Sequence, residues 1–295
     1  MSTNNLSSNF TRPLARVFLE KFEASRVLTK TVNTQLLQGR FNPSSGTQVD
    51  FKRPHDYKTD RTATGDISAV DQSDIISGKA TGTVQDYFTV HLDYDEVDEA
   101  LKLDQLEEIL APAATRLVTD LELDLGRYMF KNCNLHYGTP GTVVDAWGDV
   151  AGAAALMDSI GVPAGDRYYV MNPFTTANLA NTQSGLASGD NSLVNTAWQN
   201  AMISRNFGGL MAMTSNALPS YTSGSLAAGA DRAGTLSANP DVTYTTHKDT
   251  MIQSLAVTGF GAGADTIKAG EIITITGRNR LRLMRVAHKS CGLVL

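Results

Sequence analysis

The stretch "LDQLEEILAPAATRLVTDLELDLGRYMFKNC" occupies residues 103–133, and its apolar spacing decides what kind of chain this is. Leu106, Leu110, Ala113, Leu117, Leu121, Leu125, Tyr128 and Met129 recur at intervals of three and four, the rhythm of one helical face. At about 1.5 Å per residue such a helix runs roughly 40 Å, which makes it a spine rather than a surface decoration. Pro112 removes one N–H donor from the ladder and predicts a kink or a late start at that point.

Upstream, "TRPLARVFLEKFEASRVLTK" sets Leu14, Val17, Phe18 and Phe22 on one helical face, with Thr11 placed to cap it and Pro13 early enough to be tolerated. Ahead of that helix lies an Asn/Ser-rich arm too polar to fold alone. Between the two helices, "GTQVDFKRPHDY" and "GKATGTVQDYFTVHLDYDEV" read as two strands joined by the polar link "KTDRTATGDISAVDQSD". An exposed two-stranded arm is marginal by itself and carries unpaired edges, so the expectation is that it rests on a partner.

Downstream of the turn "YGTPGT", a smaller α/β pattern follows: helix "VVDAWGDVAGAAALMDSIG", strand "RYYVMNP", helices "FTTANLANTQ" and "SLVNTAWQNAM", and strand "LMAMTSN". From about Leu218 the chain turns to Gly, Ser, Thr and Ala, and with "IKAGEIITITG" it reads as the opening of a β-rich module. No internal repeat is visible. The fold class is therefore α+β.

At 295 residues the chain can bury a core without covalent staples. Its 30 acidic and 25 basic residues exclude a surface that is a nucleic-acid footprint throughout. Cys133 and Cys291 have no C-x-x-C spacing, which points to a reduced, cytoplasmic setting. "MSTNNLSSNF" lacks the layout of an export signal and no apolar run approaches the roughly 18 residues of a membrane span, so a soluble, unexported chain with no membrane partner is expected.

Motifs for chemistry are missing where they would be sought. The acidic cluster Asp93, Asp95, Glu96, Asp98 and Glu99 fails as a calcium loop, because Val97 takes the fifth position and Asp98 the sixth, where glycine is needed. These acids fit better near the positive start of the spine helix or opposite basic groups, and Lys52, Arg53, Lys58 and Arg61 on the hairpin are candidates. The bland alternative is a solvated face of weak surface pairs. His55, His91, His136, His247 and His288 form no zinc spacing, no G-x-S-x-G elbow surrounds a serine, and "GFGAGAD" and "YGTPGT" lack the residues of a phosphate loop and read as turns. No catalytic, metal or cofactor residue is assigned.

The ending "GRNRLRLMRVAHKSCGLVL" differs in composition from the rest, with Arg278, Arg280, Arg282, Arg285 and Lys289 unaccompanied by any carboxylate. It is read as a strand edge, as a basic arm whose cations neutralise phosphates, or as an altered ending.

In order and character these parts resemble the P22-like coat protein family of tailed phages, whose fold is of the HK97 type. The resemblance is carried by "RVFLEKFEASRVLTKTVNTQLL", "VDFKRPHDY", "TGDIS", "SGKATGTVQDYFTV", the spine helix, "YGTPGTVVDAWGDVAGA", "RYYVMNPFTTANLA", "DRAGTL" and "KAGEIITITG". It implies an N-terminal arm and helix over 1–45, an extended hairpin loop over 46–98 and a peripheral domain with the spine helix over 99–141. It further implies the first part of an axial domain over 142–218, the start of an inserted β-rich domain over 219–282 and an atypical tail over 283–295. The implied role is a structural one, not enzymatic: a major capsid subunit forming hexamers and pentamers of an icosahedral shell around phage or prophage DNA. The implied partners are further copies of the chain, a scaffolding protein, a portal protein and packaged double-stranded DNA held non-specifically, with assembly in the host cytoplasm and residence in the virion. By the same resemblance the chain stops before the family's C-terminal part, and a frameshifted or otherwise altered ending from about Arg282 is expected. An encapsulin-like compartment shell and an unrelated α+β enzyme with a pocket near His136 or the Asp93–Glu99 cluster are the alternatives.

Overall fold

The computed structural model describes residues 7–32, 47–52, 60–68, 70, 79–83, 86–91, 106–133, 135–139, 141–184, 199–201, 203–225, 233–238, 254–261, 267–273, 275–276 and 293–294. The expected helix at "SLVNTAWQNAM" falls almost wholly outside them. Helix α1 spans Ser7–Ser25, and a 3-10 turn at Leu28–Thr31 follows it. Since α1 begins at Ser7, Thr11 lies inside it and cannot be its cap; Pro13 removes one rung without stopping the helix.

Strands β1 (Gln48–Lys52) and β2 (Lys79–Thr83) pair antiparallel with Gln48 opposite Thr83 and Lys52 opposite Lys79, which is the expected hairpin. The second strand is shorter than its sequence suggested: residues 86–91 lie outside it, in irregular backbone.

Helix α2 spans Leu106–Asn132 with Pro112 inside it, so of the kink or late start predicted there the late start does not occur. α1 packs along it. The buried line on α2 is not the one the leucines outlined. Leu110 and Ala113 are buried as expected, but Leu117, Leu121, Leu125 and Met129 are half-buried and Tyr128 is 60 % exposed. Leu110, Ala114, Val118, Glu122 and Gly126, spaced by four, form the deepest row. The stripe is rotated because a carboxylate and a glycine, which pattern reading assigns outward, face the N-terminal segment.

A short strand β3 (Leu135–His136) leads through the glycine turn into the α/β lobe. Gly138 and Gly141 stand at φ of 96° and 86°, and Thr142 N–H donates to Thr139 O, so "YGTPGT" is a turn as expected.

Helix α3 (Trp147–Ile160) ends in a Schellman arrangement: Gly161 is left-handed, its N–H reaches Asp158 O, and Val162 N–H reaches Met157 O, both at 3.0 Å. Strand β4 (Tyr168–Met171) passes directly into α4 (Pro173–Ser184), because Asn172 Oδ1 caps Thr175 N–H at 2.7 Å and Pro173 suits the first helical position.

Strands β5 (Asn206–Phe207) and β6 (Leu210–Thr214) meet through Gly208–Gly209, both at positive φ as a two-residue hairpin demands. The sheet order is β4-β6-β5, with β4 parallel and β5 antiparallel to β6. Val150, Ala154, Met157, Tyr169, Met171, Leu179, Phe207 and Leu210 close the core between sheet and helices.

Beyond the lobe, β7 (Thr235–Leu236) and β8 (Val257–Thr258) form one short antiparallel pair. The described part of "IKAGEIITITG" is not a strand. It turns, with Glu271 N–H donating to Lys268 O and Gly270 at φ 101° packed against the Phe130 ring of α2. Finally β9 (Leu293–Val294) adds in parallel to β3.

Candidate functional site

The hairpin arm is held by polar chemistry rather than by burial. The Asp50 carboxylate accepts the Thr81 hydroxyl at 2.6 Å and the Lys79 ammonium at 3.1 Å across the two strands. These two bonds, Thr81's first, hold the Asp50 carboxyl below its ordinary range. Both charged partners are more than half exposed, so solvent screens the pair. In the link, Asp66 receives Ser68 N–H at 2.9 Å and its carboxyl is lowered likewise, by that backbone bond first.

Of the basic candidates on the hairpin, Lys52 stands exposed at the end of β1 and Arg61 is exposed in the link. Arg53 and Lys58 lie outside the described residues, as do Asp93, Asp95, Glu96, Asp98 and Glu99. The basic groups Arg278, Arg280, Arg282, Arg285 and Lys289 also lie outside them.

What sequence reading missed on this arm is apolar. Just past β2, Tyr87 is 88 % exposed, and Phe88 and Val90 are exposed beside it. Large apolar side chains facing solvent side by side are an informative departure from ordinary surface composition. The signal was present in "DYFTV", but it was absorbed into a longer predicted strand.

The second feature missed is Glu122. Its Oε1 accepts N–H bonds from Val27 at 2.5 Å and Thr29 at 3.3 Å, and the Thr29 hydroxyl at 3.4 Å. The far end of α2 is clasped from another direction. The Phe130 and Tyr221 rings lie 4.4 Å apart between centroids, and Gly224 N–H donates to Glu271 Oε1. Burial and, secondarily, the Glu271 charge push the Tyr221 phenol up.

Concave faces along α1 (Ala15, Arg16, Leu19, Glu20, Glu23) and α2 (Glu108, Ala111, Pro112, Thr115, Arg116, Thr119) are open helix surfaces rather than enclosed pockets. Among the described residues no group of three or more His, Cys, Asp or Glu is gathered as for a metal ion. His136 is half-buried in β3. The Cys133 thiol donates to Leu135 O at 3.0 Å. No described helix is long and apolar enough to cross a membrane.

A lobe with its own core, a long helix contacted from several sides and an arm with exposed aromatic groups make up a mixed helix-and-strand protein. A family model described as "P22 coat protein - gene protein 5" matches residues 1–289, and the chain belongs to that family. The match runs past Arg282 and Arg285. The chain is also similar to a protein of Acyrthosiphon pisum secondary endosymbiont phage 1 named "Major capsid protein", with 42 % identity over 279 residues, 94 % of this chain. It spans 65 % of that relative's length.

Proposed function

We propose that the chain is a structural subunit, not an enzyme, of a phage or prophage capsid shell, and that it adopts the HK97-type arrangement. The observation that carries this reading is the coat-family match over residues 1–289. In that arrangement residues 1–45 serve as the N-terminal arm, 46–98 as the loop extended over a neighbour, and 99–141 as the peripheral domain. Residues 142–218 begin the axial domain, 219–282 begin the inserted β-rich domain, and 283–295 form the basic tail. Copies gather as hexamers and pentamers around double-stranded DNA held non-specifically, with a scaffolding protein and a portal protein as partners. Assembly takes place in the host cytoplasm and the product resides in the virion.

Within this reading the basic arm residues Lys52, Arg53, Lys58 and Arg61 meet the acidic group Asp93, Asp95, Glu96, Asp98 and Glu99 of a neighbouring copy. Such pairs set register and partner choice more than affinity, and many moderate contacts per subunit suit a closed symmetric assembly. Sedimentation velocity of the purified chain across concentration tests the reading. Particles of megadalton size are expected, and a monomer at every concentration would count against it. Replacing the four basic arm residues together by Glu should leave the monomer folded and suppress the particles; unchanged particles would remove the arm from the contact.

A further inference from the structure

Glu122 is a charged side chain only 2 % exposed, in the middle of α2. Its hydrogen-bond donors, Val27 N–H, Thr29 N–H and Thr29 Oγ1, stand at the start of the 3-10 turn Leu28–Thr31. The first N–H groups of a helical turn have no partner within it. Here a carboxylate from a distant helix takes the place of a local cap, and the turn's own Val27 supplies no side-chain bond.

Beside this joint, buried Leu28 lies over Gly126. A Cβ at Gly126 would meet Leu28 Cδ2 at an ordinary 3.6 Å but Pro219 Cδ at 2.7 Å, so it is the approach of Pro219 that requires glycine here.

Between residues 15 and 32, Leu28 alone is buried; Val17, Phe18 and Phe22 are half-buried, and Leu19 is 59 % exposed. No side chain of α1 from residue 15 onward is fully buried, whereas parting at Glu122 breaks three hydrogen bonds to one carboxylate oxygen, the stronger kind of bond.

We propose that residues 7–31 are a strap clipped to the long helix at the Glu122 carboxylate, and that loss of this joint frees the strap while α2 and the lobe stay folded. The property belongs to the single chain and stands whether or not the shell reading does.

Hydrogen exchange on the purified chain tests it. In the unaltered protein, the amides of α1 and the Val27–Thr29 turn should exchange through a local opening, well before those of β4 and β6. Exchange of strap and lobe together, in one global event, would overturn the proposal without recourse to any variant. In Glu122→Ala the strap amides should exchange roughly tenfold to a hundredfold faster, the range expected for lost bonds to a charged acceptor, with β4 and β6 at their original rates. Leu28→Ala, which trims the apolar neighbour but keeps the carboxylate, should accelerate the strap less. Equal release by both variants, or an unmoved strap in Glu122→Ala, would refute the clip.

Discussion

Eight buried side chains close the α/β lobe on itself, whereas neither strand of the hairpin arm carries a fully buried side chain among those described. In the lobe, Met157, Tyr169, Leu179 and Phe207 meet across a sheet covered by helices, and apolar area leaves water within one chain. Among the described residues of the arm, the side-chain contacts between the strands include Asp50 with its Thr81 and Lys79 partners, at the surface. A region with a core of its own can be ordered alone. A two-stranded ribbon held by screened polar contacts is marginal in water and gains its order from what it lies against.

The largest effect that could break this contrast lies in the lobe. Leu179 is 1 % exposed, and Leu179→Ala should cost about 2–5 kcal/mol in urea unfolding, through lost burial and the cavity left behind. A cost no larger than that of a surface change would mean that the lobe is not held by its core.

A smaller effect should come with alkali. Burial, and secondarily the Asp149 charge, push the Tyr169 phenol up to about 12. The unfolded chain releases that proton near pH 10, so the native state binds more protons between about 10 and 12, and stability falls as pH rises through that window. Tyrosinate absorbance followed against pH should show one phenol lagging behind the rest, and Tyr169→Phe should remove the lag. Early ionisation of Tyr169 would show that the lobe admits water.

The smallest effect is expected in the arm. Asp50 has its carboxyl depressed in the folded chain, so its contribution is present above its ordinary range and is lost as pH falls below about 4. Because the group is more than half exposed, Asp50→Asn should leave the thermal midpoint of the lobe unmoved, and only the exchange of the β1 and β2 amides should quicken. A clear drop in that midpoint would couple arm to lobe and dissolve the contrast.

The same difference explains what could be read in the sequence. The helices α3 and α4 and the strands β4 and β6 were legible because local punctuation bounds them: Gly161 stops α3 and Asn172-Pro173 turns β4 into α4. The two-residue strand β5 and its Gly208-Gly209 turn were not read, being too short to show a period. The hairpin arm was legible as strands, but the end of β2 at Thr83 was not, since "DYFTV" has strand-forming residues that find no described ladder partner.

The long helix was legible in existence and misread in facing. Glu122 is buried because amides from Val27 and Thr29 reach it, and such a contact between distant segments leaves no trace in apolar spacing. "IKAGEIITITG" has strand propensity, yet Gly270 turns the chain where it meets Phe130. The basic and acidic candidates for contact between copies were chosen on charge alone, and most lie outside the described residues.

The clasp around α2 also bears on how the chain is made. The helix emerges from the ribosome after α1 and can pair with it at once, but Pro219, Tyr221 and Gly270, which cover its Gly126 and Phe130, come much later. At the usual pace of synthesis that delay is on the order of ten seconds. For that interval the nascent spine has one finished side and one apolar side still open to chaperones or to another nascent chain.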